Sequence, residues 1–227
     1  MTWLTALALG FLLGMRHATD ADHVVAVATI VARERRLLAA LRIGTLWGVG
    51  HTATILLVGG AIVLFGLVVP PELGLSLELS VGVMLILLGA LNVAWAARRS
   101  ASSRGEHGAG DNAGSLLRPR LQPLLIGSVH GLAGSAAIAL LVLTTLRDTA
   151  FALVYLAVFG LGSVLGMALL TSAMAAPLAL ASRRFTSFTR HLAGVSGAVS
   201  IVFGLFLVYQ IGVVDGLFTG ALAYTPR

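Results

Sequence analysis

Six apolar runs follow one another along the chain, at 3–32, 43–69, 78–97, 121–145, 150–176 and 191–214. Each reaches the ~20 residues that a helix needs to cross a hydrocarbon core. None shows the strict alternation of a barrel strand, so the backbone groups in lipid must be satisfied within helices. The pattern predicts an all-α integral membrane protein with six transmembrane helices. The first run is not read as a cleaved leader, because no basic stretch precedes it and polar residues interrupt it.

That interruption carries the chemistry. Arg16-His17-Ala18-Thr19-Asp20-Ala21-Asp22-His23 lies inside the first apolar run. A single charge at a helix centre costs roughly 2.5–3.5 kcal/mol on insertion scales. Two imidazoles, two carboxylates and a guanidinium must therefore neutralise one another, bind something, or both. Arg16 and Asp20 stand four apart, a spacing that suits an ion pair. At about 30 residues, or ~45 Å of helix, the run exceeds what the core requires. It is either tilted or broken between Gly14 and Asp20, as helices at midplane transport sites are.

Charge fixes the expected orientation. All 15 basic residues are arginine, and the net charge is +6. Arg33, Arg35, Arg36 and Arg42 flank the first loop between spans; Arg98, Arg99, Arg104, Arg118 and Arg120 flank the third; Arg183, Arg184 and Arg190 belong to the fifth. These loops share one side, which the positive-inside rule makes cytoplasmic, with both termini outside the cytoplasmic membrane. The net charge is then a topology signal and implies no nucleic-acid partner. Residues 98–120, rich in Gly, Ser and Arg, read as a flexible cytoplasmic linker between units 1–97 and 121–227. Glu106, His107 and Asp111 within it read as solvated loop residues. Glu72, Glu78, Asp148 and Asp215 fall at the outer ends, against Arg147 and Arg227, and make a mouth mildly attractive to cations.

Composition narrows the chemistry. The chain is 58% hydrophobic and 11% charged, with a mean hydropathy of +0.97, outside the range of a soluble domain. The absence of Cys excludes thiolate metal sites and disulfides. The absence of Lys excludes a P-loop lysine, so an ATP-driven step needs another chain.

The two halves repeat. Leu13-Gly14-Met15-Arg16-His17 aligns with Ile126-Gly127-Ser128-Val129-His130, and Trp47-Gly48-Val49-Gly50-His51 with Phe159-Gly160-Leu161-Gly162-Ser163. Leu88-Gly89-Ala90-Leu91 echoes Phe203-Gly204-Leu205-Phe206. The offsets are near-equal, about 112 to 115 positions. Because span one and span four run in opposite senses, the units are two inverted three-helix repeats, an architecture with its site near the midplane.

Depth converges on that midplane. His23, His51 and His130 each lie about 10 residues from a flanking arginine, which is about 14 Å at the helical rise. On a continuous helical wheel His17, Asp20 and His23 share a face and read as direct ligands. Asp22 points away from His23, as a group that orients an imidazole or packs a helix. Imidazole and carboxylate without sulfur suit nickel, cobalt or zinc rather than copper(I), and magnesium or calcium would take an all-oxygen site. A proton relay uses the same residue types. No prosthetic group is expected: the ion is cargo.

Arg16 to His23 resembles the motif Arg-His-Ala-x-Asp-Ala-Asp-His of the nickel/cobalt transporter (NiCoT) family and its short urease-associated nickel permease relatives. Val49-Gly50-His51-Thr52 and Gly89-Ala90-Leu91-Asn92 are similar to two further signatures of that family. The likeness covers roughly residues 3–97. His130-Gly131-Leu132-Ala133-Gly134-Ser135 lacks the acids of the longer members and is like the short-permease branch. The resemblance implies secondary uptake of nickel or cobalt as a divalent ion. His17, Asp22 and His23 would be central, with His51 and Asn92 assisting, and a urease or hydrogenase maturation system would be a partner. Efflux of the same ions, a membrane-embedded metalloenzyme and a metal-delivery scaffold are the other readings. No His-Glu-x-x-His helix supports the enzyme.

Overall fold

The structure, a computed structural model, describes residues 3–34, 36–67, 69–102, 121–145, 148–182 and 186–220. Arg35, Arg104, Glu106, His107, Asp111, Arg118, Arg120, Arg147, Arg183, Arg184 and Arg227 lie outside them. Among the described residues every regular element is helical. The first apolar run is two helices, α1 (Trp3–His17) and α2 (Ala21–Val31). α3 (Leu37–Thr54) continues through a π-helical turn (Ile55–Gly59) into α4 (Gly60–Phe65). α5 (Pro71–Ser102) and α6 (Gln122–Thr145) flank the undescribed 103–120 segment, and α5 carries helix through residues 98–102. α7 (Thr149–Ser182) precedes α8 (Thr186–Tyr209), which ends in a second π-helical turn (Gln210–Val214). Among the described residues four helices are long and apolar enough to cross a membrane: Leu37–Phe65, Pro71–Ser100, Thr149–Pro177 and Thr189–Val214.

The first run is therefore broken rather than tilted. After His17 the amides of Thr19 and Asp20 donate three residues back, to the carbonyls of Arg16 (2.8 Å) and His17 (3.1 Å), which tightens and ends α1. The Thr19 hydroxyl closes on the Arg16 carbonyl at 2.6 Å. Asp20 is then extended, at φ −62° and ψ 149°, and caps α2.

Packing follows the small residues. α3 lies between α6 and α7, α1 lies along α7, and α5 pairs with α8. A side chain at Gly14 would strike the Phe159 carbonyl, and one at Gly127 the Trp47 carbonyl. Gly82 faces Gly204 and Gly89 faces Gly197, each against the other's carbonyl, so α5 and α8 run antiparallel in close contact. Backbones that approach this closely gain dispersion contact where lipid supplies no hydrophobic drive. Along the α3–α7 seam Gly48 meets Val164, and the Thr52 hydroxyl donates to the Gly160 carbonyl at 3.0 Å. These helices are thus antiparallel, with Trp47 and Phe159 at different levels and His51 between them.

α2 is tied to α5. The Asn92 amide donates to the Thr29 carbonyl, and Arg33 Nη2 donates to the Leu91 carbonyl at 3.0 Å. Arg33 and Arg99 both lie over the Trp95 ring, at 4.9 and 5.0 Å. Burial holds the Arg33 guanidinium below its ordinary pKa.

Replacing Gly89 or Gly197 with Leu forces α5 from α8 and is expected to destabilise the detergent-purified protein by about 1–3 kcal/mol, the usual range for overpacking. Gly60→Ala, whose new methyl meets only Leu153 at 3.7 Å, is expected to hold the melting temperature or raise it. Equal melting temperatures for Gly89→Leu and Gly60→Ala would contradict this packing.

Candidate metal centre

The helix break sets the local geometry of the motif. Asp is a favoured N-cap residue because its carboxylate takes a free amide of the first turn. Asp20 makes no such bond. Its Oδ2 instead lies 2.8 Å from His17 Nδ1. The expected Arg16–Asp20 ion pair is thus not formed: the reset backbone turns Asp20 to His17, and the Arg16 side chain is exposed.

Asp22, in the first turn of α2, works differently. Its Oδ1 accepts from the backbone amide of His23 at 2.9 Å and lies 3.0 Å from His23 Nδ1. Its Oδ2 lies 2.9 Å from His130 Nε2, reaching across to α6. Both residues lie in α2, so their separation of about 100° on the wheel stands; the carboxylate bends to His23 because the break leaves the His23 amide free in the first turn. Negative charge at this point is favoured by the free amides and dipole of the α2 N-terminus.

Four histidines from four helices meet here. His17 Nε2 and His51 Nε2 are 3.1 Å apart. Ring centroids lie 4.2 Å apart for His23–His130, 4.8 Å for His17–His23, 5.1 Å for His23–His51 and 5.8 Å for His51–His130. His23, His51 and His130 are at most 2% exposed. His23 Nε2, His51 Nδ1 and His130 Nδ1 are buried without a hydrogen-bond partner among the described residues. Lone imidazole nitrogens in a desolvated place cost free energy unless something engages them.

The donor atoms fall into two triads, His17–His23–His51 and Asp22–His23–His130, each with its ligating atoms within 4.8 Å of one another. Two ligands of one ion, at bond lengths of about 2.1 Å, stand about 3.0 Å apart at right angles and about 3.4 Å apart at tetrahedral angles. The His17–His51 spacing falls in that range. Asp20 belongs to neither triad. Like Asp22 on His23, it holds the Nδ1 of an imidazole, the carboxylate–histidine pairing that fixes ring orientation beside a metal.

All six predicted donors, His17, Asp20, Asp22, His23, His51 and His130, line one cavity of about 440 Å³. Arg16 and Asn92 do not line it; Asn92 is buried at the α2–α5 contact instead. The opposite wall is apolar, with Phe203, Phe206, Leu207 and Ile211, except for Glu78 of α5. Sequence reasoning put Glu78 at an outer mouth and missed that it faces the cluster. It also missed Trp47, which stacks on His23 at 5.8 Å and stands edge-on to His130 at 5.9 Å. Phe159 lies 5.5 Å from His17. The signal was present: Trp47 precedes His51 by one helical turn.

No protein-family model matches the chain, and no solved structure matches it. It is 36% identical over 218 residues to the urease accessory protein UreH of Bacillus sp. (strain TB-90), covering 95% of each chain. That kinship is to an accessory protein and not to an enzyme. At this identity over nearly the whole length, the chain belongs to the family of the urease accessory protein UreH.

Proposed function

We propose that the protein is a secondary transporter that carries a divalent transition-metal ion, nickel first and cobalt second, inward across the cytoplasmic membrane. The observation that carries this reading is the convergence of four imidazoles and two carboxylates, from α1, α2, α3 and α6, on one cavity among apolar helices. With the imidazoles uncharged, Asp20 and Asp22 supply two negative charges, which a divalent cation balances. The nitrogen-rich, sulfur-free donor set favours nickel, cobalt or zinc over calcium and magnesium. The urease accessory relative and the likeness to nickel/cobalt transporters both favour nickel.

Six spans arranged as two inverted repeats fit the contacts. Moved along the chain by the repeat offset, the Gly14–Phe159 contact becomes Gly127–Trp47, and the Gly82–Gly204 contact becomes Gly197–Gly89. Contacts that exchange partners in this way are those of a twofold relation between the halves. With both termini outside, the cavity's apolar wall comes from the outer ends of α5 and α8, so the cavity faces the outer side. Asp20 and Glu78 receive the ion there, and the histidines replace its water. Past them, Trp47 and the packed Ala26, Val27, Val31 and Met167 close the inner side. An interior-negative potential of ~100 mV contributes about 2.3 kcal/mol per charge, so a dication needs no ATP to enter.

A second reading, delivery of metal to a urease maturation system without transport, is favoured by the accessory relative. Liposomes separate the two. Purified protein is expected to admit Ni²⁺ under an interior-negative potential, with His23→Ala lowering the rate at least about tenfold, the lower end for disturbing a metal site. Equal uptake by both proteins refutes the site; capture of a urease-maturation partner with no flux favours delivery; lower cytosolic nickel on expression favours efflux. Reporter fusions at residue 110 are expected to read cytoplasmic, and an outside reading overturns the orientation.

A further inference from the structure

We propose that the centre offers the ion two successive positions that share one ligand, His23: a first on His17, His23 and His51, and a second on Asp22, His23 and His130. This rests on the transport reading above and adds how the ion moves within the site. Each triad offers three donors, the first from α1, α2 and α3 and the second from α2 and α6, and His23 is common to both. The imidazole can serve each side because its two nitrogens differ. Nδ1 faces Asp22, whereas Nε2 is buried with no partner among the described residues.

The two positions are ordered along α3. Of the rings that touch the cluster, Phe159 lies on His17, a member of the first triad only, at 5.5 Å. Trp47 touches His23 and His130, the second triad, at 5.8 and 5.9 Å. Because Gly48 is level with Val164 and Thr52 with Gly160, Phe159 and Trp47 bracket His51 from opposite ends. The first triad therefore lies toward the Phe159 level and the second toward the Trp47 level. Trp47 is on the arginine-flanked, N-terminal side of α3, so the second position is the inner one.

Sharing a ligand makes the positions alternatives. Two dications held by one imidazole would stand a few ångströms apart and repel strongly in a medium of low dielectric. An ion moves on by leaving His17, His51 and Nε2 of His23 for Asp22, His130 and Nδ1 of the same ring; the water the ion carries takes up the Nδ1 proton and returns one to Nε2, so the ring stays neutral. His130 is then a ligand of passage: binding needs the first triad, and transfer needs the second.

Equilibrium dialysis of Ni²⁺ against the purified full chain, beside uptake by the same preparation in liposomes, tests this. Wild-type protein is expected to bind one equivalent. His130→Ala is expected to keep its affinity within about threefold while uptake falls at least about tenfold. His51→Ala is expected to lose affinity by about tenfold or more. His130→Gln, which keeps most of the volume, serves if the Ala variant does not elute as a folded species. Two equivalents bound at once by wild type overturn the shared ligand. So do affinity and uptake falling together in the His130 variants, which would mean one composite site. Wild-type protein that binds no Ni²⁺ overturns the transport reading beneath it.

Discussion

One carboxylate shared by two imidazoles holds the centre together. Asp22 accepts from the His23 backbone and ring through one oxygen and from His130 through the other, joining the start of α2 to the middle of α6. Without it, two buried ring N–H groups lose their acceptor, at about 1–3 kcal/mol each. The arrangement needs the helix break. The break frees the His23 amide for the Asp22 carboxylate, whereas an unbroken helix would bond that amide to the backbone four residues back. The break leaves first-turn amides without helical partners among apolar helices, and the Asp22 carboxylate takes one of them.

The surrounding scaffold is built so that the histidines cannot drift in height. Gly131 packs against the His51 carbonyl, Gly127 against the Trp47 carbonyl and Gly14 against the Phe159 carbonyl. Helices in backbone contact at these points have little freedom to slide, since a shift of one residue would bring side chains into carbonyls. The level of each donor is thus set by main-chain contact, and the carboxylates then set only its rotation.

Much of this was legible in the residues. Apolar run lengths gave the helices, and the spacing of His23, His51 and His130 from flanking arginines gave their common level, because helical rise is fixed. The aligned Gly-containing segments mark helices that the structure brings into close contact. What failed did so where a regular helix was assumed. The Arg16–Asp20 pair rests on 100° steps through Ala18 and Thr19, where the backbone leaves the helix, and the turning away of Asp22 took no account of the His23 amide that the break frees. That Glu78 shares a cavity with the histidines was missed because a single run gives depth but not which helices face each other. Trp47 was given no role because nothing in one sequence says that His23 lies flat beside it.

The cavity has two unlike halves. On the imidazole side, donors are wired to backbone and to one another, so almost any exchange of residues there disturbs several bonds together. Across from it, Phe203, Phe206, Leu207 and Ile211 meet the space with interchangeable hydrocarbon. Substitutions along the greasy face can therefore change the width and shape of the cavity while the imidazole face stays fixed.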